Sequence, residues 1–229
     1  MEFIQNADAV ARKAISEIAP SLESPFANVI KFLTVYPDTA SRLRGSHSPI
    51  GSEEYIVSAA VHYANGRKPK RPKPPATIPD EMVGFILEHY FDVEHQSLER
   101  VKKEHALSMA AENIVGNVLE HYLASILEPC GWVWCAGSLV RAVDFIKPTE
   151  KGQWVLLQVK NRDNSENSSS SVIRVGTNIK KWYRTFSKKT GSNWEEFPDS
   201  TAKAFLSEEG FMAFAKVYLG KIKGQAPSN

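Results

Sequence analysis

Apolar residues recur at three- and four-residue spacing from Asn6 to Ile18 and again from Phe26 to Val35. That is the repeat of an amphipathic helix, and the stretch from Pro20 to Pro25 separates the two. Between Asn65 and Pro79 the text NGRKPKRPKPPATIP is rich in proline. Proline removes backbone donors and fixes φ, so neither a helix nor a central strand persists there, and an extended basic arm or linker is predicted. Helical spacing resumes from Pro79 to Leu98. It is strongest from Leu107 to Leu127, where Leu107, Ala111, Ile114, Val118, Tyr122 and Ile126 form a continuous apolar face that must pack on a sheet or on other helices.

After Pro129 and Gly131 the pattern changes to short runs rich in β-formers: Trp132 to Ala136, Ser138 to Ile146, and Trp154 to Lys160. The polar stretch Lys147 to Gly152 joins the last two as a hairpin. Asn161 to Ser171 is almost wholly polar. From Gly176 to Lys189 a basic helix is predicted, with Ile179, Trp182, Tyr183 and Phe186 facing inward, and the chain closes with an apolar helix from Glu208 to about Lys221. No internal repeat is present.

Composition adds limits. With 229 residues, 42% of them hydrophobic, the chain can bury one sizeable core. The formal net charge of +2 is too mild to identify a polyanionic partner by itself, so the local clustering of charge matters more than its sum. The first eleven residues include Glu2 and Asp8 and do not read as a signal peptide, and no apolar run approaches membrane-spanning length. Cys130 and Cys135 lack the second Cys/His pair of a structural zinc site and read as reduced thiols of a cytoplasmic protein. Glycine-rich phosphate cradles, HExxH pairs and GxSxG elbows are absent.

The chemistry concentrates in VDFI at 143–146 and WVLLQVKNR at 154–162. Gln158 and Lys160 are two apart on one predicted strand, so their side chains leave the same face, and the hairpin brings Asp144 beside them. Hydrolysis of a phosphodiester needs a divalent cation to polarise the phosphate and to lower the pKa of an attacking water, and Mg2+ takes hard oxygen ligands. Asp144 is the natural charged ligand, Gln158 offers its amide oxygen, and the backbone carbonyl of Val159 offers another. Lys160 then orients the water or helps deprotonate it, and stabilises charge developing on the phosphate. A third acid is expected from the preceding helix. Glu120, in GNVLE at 116–120, is preferred over Glu112. Against all of this stands a plain structural ion pair between Asp144 and Lys160.

Asp144 followed by Gln158-x-Lys160, behind a GxxxE helix, resembles the PD-(D/E)xK nuclease superfamily over about Leu107 to Trp182. Most members carry an acid where this chain has Gln158. The continuation QVKNRDNSENSSSS with the later GTNIKKWYR resembles type II restriction endonucleases of the SinI and AvaII kind. That resemblance implies cleavage of GGWCC after the first G by a homodimer matching the twofold symmetry of its site. The polar loop is then a candidate base reader. Arg162 and Arg174 suit guanine, Asn164 and Asn167 suit adenine, and Asp163 or Glu166 can accept from cytosine N4. Lys180, Lys181 and Arg184 suit phosphates, which position a duplex without reading it.

These readings combine into an α/β protein with a restriction-endonuclease-like mixed β-sheet core flanked by helices. Residues 1–103 form a helical N-terminal region carrying the basic arm of residues 65–79, and residues 104–229 form the nuclease core. The expected cofactor is Mg2+. The expected partners are double-stranded DNA and a second copy of the chain, with no membrane. A structure-specific repair or junction nuclease of the same superfamily and a non-cleaving DNA-binding module are the alternatives.

Overall fold

The apolar repeats of the first third become three helices, α1 (Ala7–Ser16), α2 (Glu23–Val35) and α3 (Glu53–Gly66), in a computed structural model that describes residues 2–163 and 178–224. α3 begins where Ser52 accepts a hydrogen bond from the Tyr55 N–H, with Glu53 and Glu54 in the positively polarised first turn. Phe26, Ile30, Leu33, Ile56 and Tyr63 are fully buried between these helices. A short helix α4 (Glu81–His89), capped by Asp80, precedes the long helix α5 (Leu98–Leu127). α5 buries Ile114, Val118 and Tyr122 of the stripe read from the sequence, together with Leu119, Leu123 and Leu127, whereas Leu107 and Ala111 of that stripe are exposed and Ile126 is partly buried. It ends two residues before Pro129, and Gly131, at a left-handed φ of 83°, turns the chain into the sheet.

The sheet contains β1 (Val133–Trp134), β2 (Phe145–Pro148), β3 (Trp154–Arg162) and β4 (Ile179–Thr185), in that spatial order. β1 pairs with β2 and β2 with β3 antiparallel, whereas β3 and β4 are parallel, which makes the sheet mixed as expected. Phe145 opposes Leu157, Leu157 opposes Lys180 and Gln158 opposes Lys181. The turn α6 (Ser200–Lys203) and the terminal helix α7 (Glu208–Gly224) complete the described fold. Phe211 and Phe214 of α7 pack on Tyr122 of α5 with ring centroids 5.6 Å apart.

The N-terminal helices and the sheet share one apolar core. Phe32 of α2 meets Trp154 of β3 edge-on at 5.4 Å. α3 docks against the loop between β1 and β2 through glycines: a Cβ on Gly66 would fall 2.2 Å from the Gly137 nitrogen, and one on Gly137 would fall 2.4 Å from the His62 carbonyl. Backbone approaches backbone there with no room for a side chain. No helix among the described residues is long and apolar enough to cross a membrane. Cys135 is buried and Cys130 partly exposed, both as free thiols.

Three sequence expectations are corrected. The helix expected from Pro79 to Leu98 breaks after His89, where Asp92 adopts φ 52°, and α5 begins at Leu98 rather than near Leu107. The strand expected from Ser138 to Ile146 is confined to β2, because Gly137, Ser138 and Ala142 all take positive φ and turn the chain. Residues 179–185 form β4 rather than a basic helix. Ile179, Trp182 and Tyr183 match a helical stripe by spacing, but they are also strong β-formers, and pairing along β3 decides between the two.

Asp199 ties the C-terminal segment to the sheet. One carboxylate oxygen accepts from Trp132 Nε1 and Lys147 Nζ, each at 2.8 Å, and the other accepts the Ala202 N–H at 3.0 Å as the cap of α6. Burial alone raises its pKa, but these donors outweigh burial and hold it at about 2. A carboxylate with a depressed folded pKa contributes stability above its unfolded value near 3.8, and that contribution disappears as pH falls toward 2. Asp199→Ala is expected to cost about 1–3 kcal/mol at pH 7. In urea melts from pH 5 to pH 2, the variant should also lose stability less steeply than the parent. Equal slopes would show that the carboxylate does not carry this linkage.

Candidate active site

The β2–β3 hairpin fixes the position of Asp144. Its N–H donates to the Leu157 carbonyl at 2.9 Å, and its carbonyl accepts the Cys135 N–H at 2.8 Å, so the residue immediately before β2 is held in the ladder. One carboxylate oxygen, Oδ2, accepts the Val159 N–H at 2.7 Å. In a strand the N–H and C=O of one residue leave on the same side, so the Val159 carbonyl also projects toward Asp144. Gln158 is 3% exposed, and it lines a cavity of about 420 Å³ together with Asp144, Glu120 and Lys160.

Glu120 reaches this cavity from α5, and its Oε2 accepts a hydrogen bond from Trp134 Nε1 at 3.1 Å. Glu112, two turns earlier, is exposed and does not line the cavity. It belongs instead to the wall of a larger cleft of about 1300 Å³ between α5, the end of β3 and the loop after β4. Glu120 and Lys160 line both hollows, so they stand where the cavity meets the cleft, and Asp144 and Gln158 lie within the cavity.

The electrostatics follow from this crowding. Burial raises the pKa of Glu120, the nearby Asp144 charge raises it further, and the Trp134 donor, Lys70 and Lys160 offset only part of the rise. Asp144 is also raised, first by burial, against the opposing effects of the Val159 N–H and Lys160. Two neighbouring acids held above their ordinary range form a site that gains from a positive charge between them. The donors are hard oxygens: the remaining oxygen of Asp144, Glu120, the Gln158 amide and the Val159 carbonyl. This chemistry fits Mg2+. Among the described residues no group of three His, Cys, Asp or Glu side chains converges, so any ion here depends on amide, backbone or solvent oxygens as well.

The basic arm contributes a residue that the sequence did not single out. Tyr218 of α7 accepts the Lys70 N–H at 2.7 Å, and its hydroxyl also lies 2.9 Å from Asn117 Oδ1 on α5. Lys70 is thereby pinned on the cavity wall, where its charge lowers the Glu120 pKa. Arg67, at the start of the arm, is structural: it forms an ion pair with Glu128, donates to the Tyr63 hydroxyl at 2.7 Å and lies over the Tyr63 and Trp134 rings. His121 packs against Trp134 and Tyr218, and burial lowers its pKa to about 4, which keeps the ring neutral.

The expected DNA-contacting residues separate. Arg162 is exposed and lines the cleft. Asp163 accepts the Ser187 N–H at 2.8 Å through Oδ1 and so anchors the loop after β4. Lys181 leaves the sheet on the same side as its register partner Gln158, and Lys180 is exposed on the opposite face. Neither lysine lines the cavity or the cleft. Arg184 pairs with Glu208 and donates to Asn161 Oδ1 at 3.0 Å, so it braces the sheet against α7. Lys188 and Lys189 line the cleft instead, on the loop after β4. Asn164, Glu166, Asn167 and Arg174 lie outside the described residues.

A carboxylate pair beside a lysine, at the mouth of an open basic cleft, is an arrangement of phosphodiester hydrolysis. Residues 7–221 match the sequence model of the SinI restriction endonuclease family. The chain belongs to the SinI restriction endonuclease family. The type II restriction enzyme SinI of Salmonella infantis is 50% identical over 224 residues, covering 96% of this chain and 97% of the relative. The type II restriction enzyme Eco47I of Escherichia coli is likewise 50% identical over 223 residues, with 96% and 97% covered. Membership of this restriction endonuclease family makes site-specific DNA cleavage the activity that the geometry has to serve.

Removing one of two repelling buried charges should stabilise the metal-free fold. Glu120→Gln is expected to melt above the parent in EDTA at pH 8, by on the order of 1 kcal/mol. A lower melting point would mean that Glu120 is held by attractive contacts rather than strained by Asp144.

Proposed function

We propose that this SinI-family chain is a Mg2+-dependent homodimeric endonuclease that cuts both strands of DNA at GGWCC after the first G. Asp144, Gln158, the Val159 carbonyl and Glu120 are the residues that would hold the ion. Bound there, Mg2+ supplies Lewis acidity at the scissile phosphate and lowers the pKa of the attacking water. Lys160 orients that water and stabilises the charge that develops on the phosphate oxygens. Lys70 faces the same charge from the other wall and adds to this stabilisation. Attack of water on phosphorus breaks the bond to the 3′ oxygen, leaving a 5′ phosphate and a 3′ hydroxyl.

Arg162 reads base edges from the cleft that it lines, and Lys188 and Lys189 contact phosphates. Asp163, Asn164, Glu166, Asn167 and Arg174 complete the proposed reading segment, with Lys180 and Lys181 as outer phosphate contacts. The observation that carries the proposal is the meeting of Glu120, Asp144, Gln158 and Lys160 on the wall of one cavity, with Glu120 and Lys160 also lining the adjoining cleft. The target rests on the likeness of QVKNRDNSENSSSS and GTNIKKWYR to GGWCC-cutting enzymes.

Digestion of a sequenced, unmethylated plasmid tests the whole reading. With Mg2+, discrete fragments are expected whose ends map after the first G of GGWCC. EDTA should abolish them, and Lys160→Ala should slow cleavage by about 10²–10³-fold or more. Fragments ending at another sequence would overturn the target. Cleavage undiminished in EDTA, or equally fast with Lys160→Ala, would overturn the chemistry.

A further inference from the structure

From Arg67 to Pro79 the chain carries Arg67, Lys68, Lys70, Arg71 and Lys73 and no acidic residue. Arg67 is paired with Glu128, and Lys68 Nζ donates to Asn65 Oδ1 at 2.8 Å. A plain connection between two helices needs neither this charge nor an anchor. This segment has two anchors. The Tyr218 hydroxyl accepts the Lys70 N–H at 2.7 Å and donates its proton to Asn117 Oδ1 at 2.9 Å, nearer than the Lys70 carbonyl at 3.3 Å. Two residues earlier, the Lys68 backbone is hydrogen-bonded to the His121 ring. Tyr218 is buried and packs against His121 and Phe214, so the arm is tied to side chains packed between α5 and α7.

The backbone is held while Lys70 and Lys73 stay exposed. Pro69, Pro72, Pro74 and Pro75 fix φ and stiffen the chain over several residues, so an anchor at Lys70 also sets the course through Lys73. Lys70 lines the cavity that holds Glu120, Asp144 and Lys160, whereas Lys188 and Lys189 line the cleft that shares Glu120 and Lys160 with it. Cations therefore stand in both hollows beside the acids. A row of lysines on a pre-ordered backbone, with no acid among them, suits a row of phosphates.

We propose that the basic arm is a clamp on the DNA backbone: Lys70 meets the phosphate at the cut, Lys73 meets another along the same strand, and Tyr218 is the positioning residue that holds the arm there. The clamp rests on DNA as the substrate and not on the metal site proposed above. Anchoring in the DNA-free chain spends the ordering entropy before DNA arrives, which raises affinity. Phosphate contacts read no bases, so the arm strengthens binding to any sequence alike.

Binding of the full chain to labelled duplexes with and without GGWCC, in EDTA and over a series of salt concentrations, tests the clamp. The logarithm of affinity falls with the logarithm of salt, and each phosphate contact removed flattens that slope by about 0.9. Lys70→Ala and Lys73→Ala are each expected to do so on both duplexes, and the double variant to flatten the slope by about 1.8. Both side chains are exposed, so circular dichroism should show unchanged folds. Tyr218→Phe keeps the ring and removes the hydroxyl. It should weaken binding by about 3- to 10-fold, and that loss should vanish in the Lys70→Ala/Lys73→Ala background, which a merely structural role would not produce. Lysine variants with the parent's slope would overturn the clamp while leaving DNA binding standing. A Tyr218→Phe variant that binds like the parent, or a loss that persists without the two lysines, would overturn the positioning role. A parent that binds neither duplex would overturn the DNA reading as well.

Discussion

Two carboxylates held side by side out of water repel each other, and the rest of this structure is arranged to keep Asp144 and Glu120 in that position. Asp144 is fixed by backbone hydrogen bonds to Leu157, Cys135 and Val159, so it cannot rotate away. Glu120 is fixed by the Trp134 indole and by the buried stripe of α5. Both carboxyl pKa values are raised, so the charged pair costs stability, a common exchange at functional sites. The energy to sustain it comes from the shared core, where the N-terminal helices, α5 and the sheet pack as one unit.

The N-terminal helices serve the site as well as the core. The glycine contact between Gly66 and Gly137 sets the loop that leads into Asp144, and Arg67, locked onto Glu128, directs the chain leaving α3 across α5. From there the proline-rich arm passes Tyr218 and delivers Lys70 to the cavity wall. A segment that composition alone would describe as a solvated linker is thus partly built into the wall of the candidate site.

Much of this was legible in the sequence where the determinants are local. The helical spacing of α1, α2 and α5 and the hairpin of β2 and β3 follow from periodicity and turn residues, and the hairpin alone is enough to bring Asp144 beside Gln158 and Lys160. β4 was not legible. Ile179, Trp182, Tyr183 and Phe186 satisfy helical spacing, and the parallel partner that makes them a strand lies some twenty residues back. The place of Lys70 depends on Tyr218, 148 residues away, which no local pattern encodes. Arg184 read as a phosphate contact because its charge is visible in sequence, whereas its partner Glu208 is adjacent only in the fold.

The central claim is that Asp144 and Glu120 together form a cation site. Isothermal titration calorimetry of Mg2+ into the DNA-free protein, beside a folded Asp144→Asn variant, tests it most directly. Saturable binding by the parent that is lost in the variant is the predicted result. Binding of equal strength in both proteins would contradict the account.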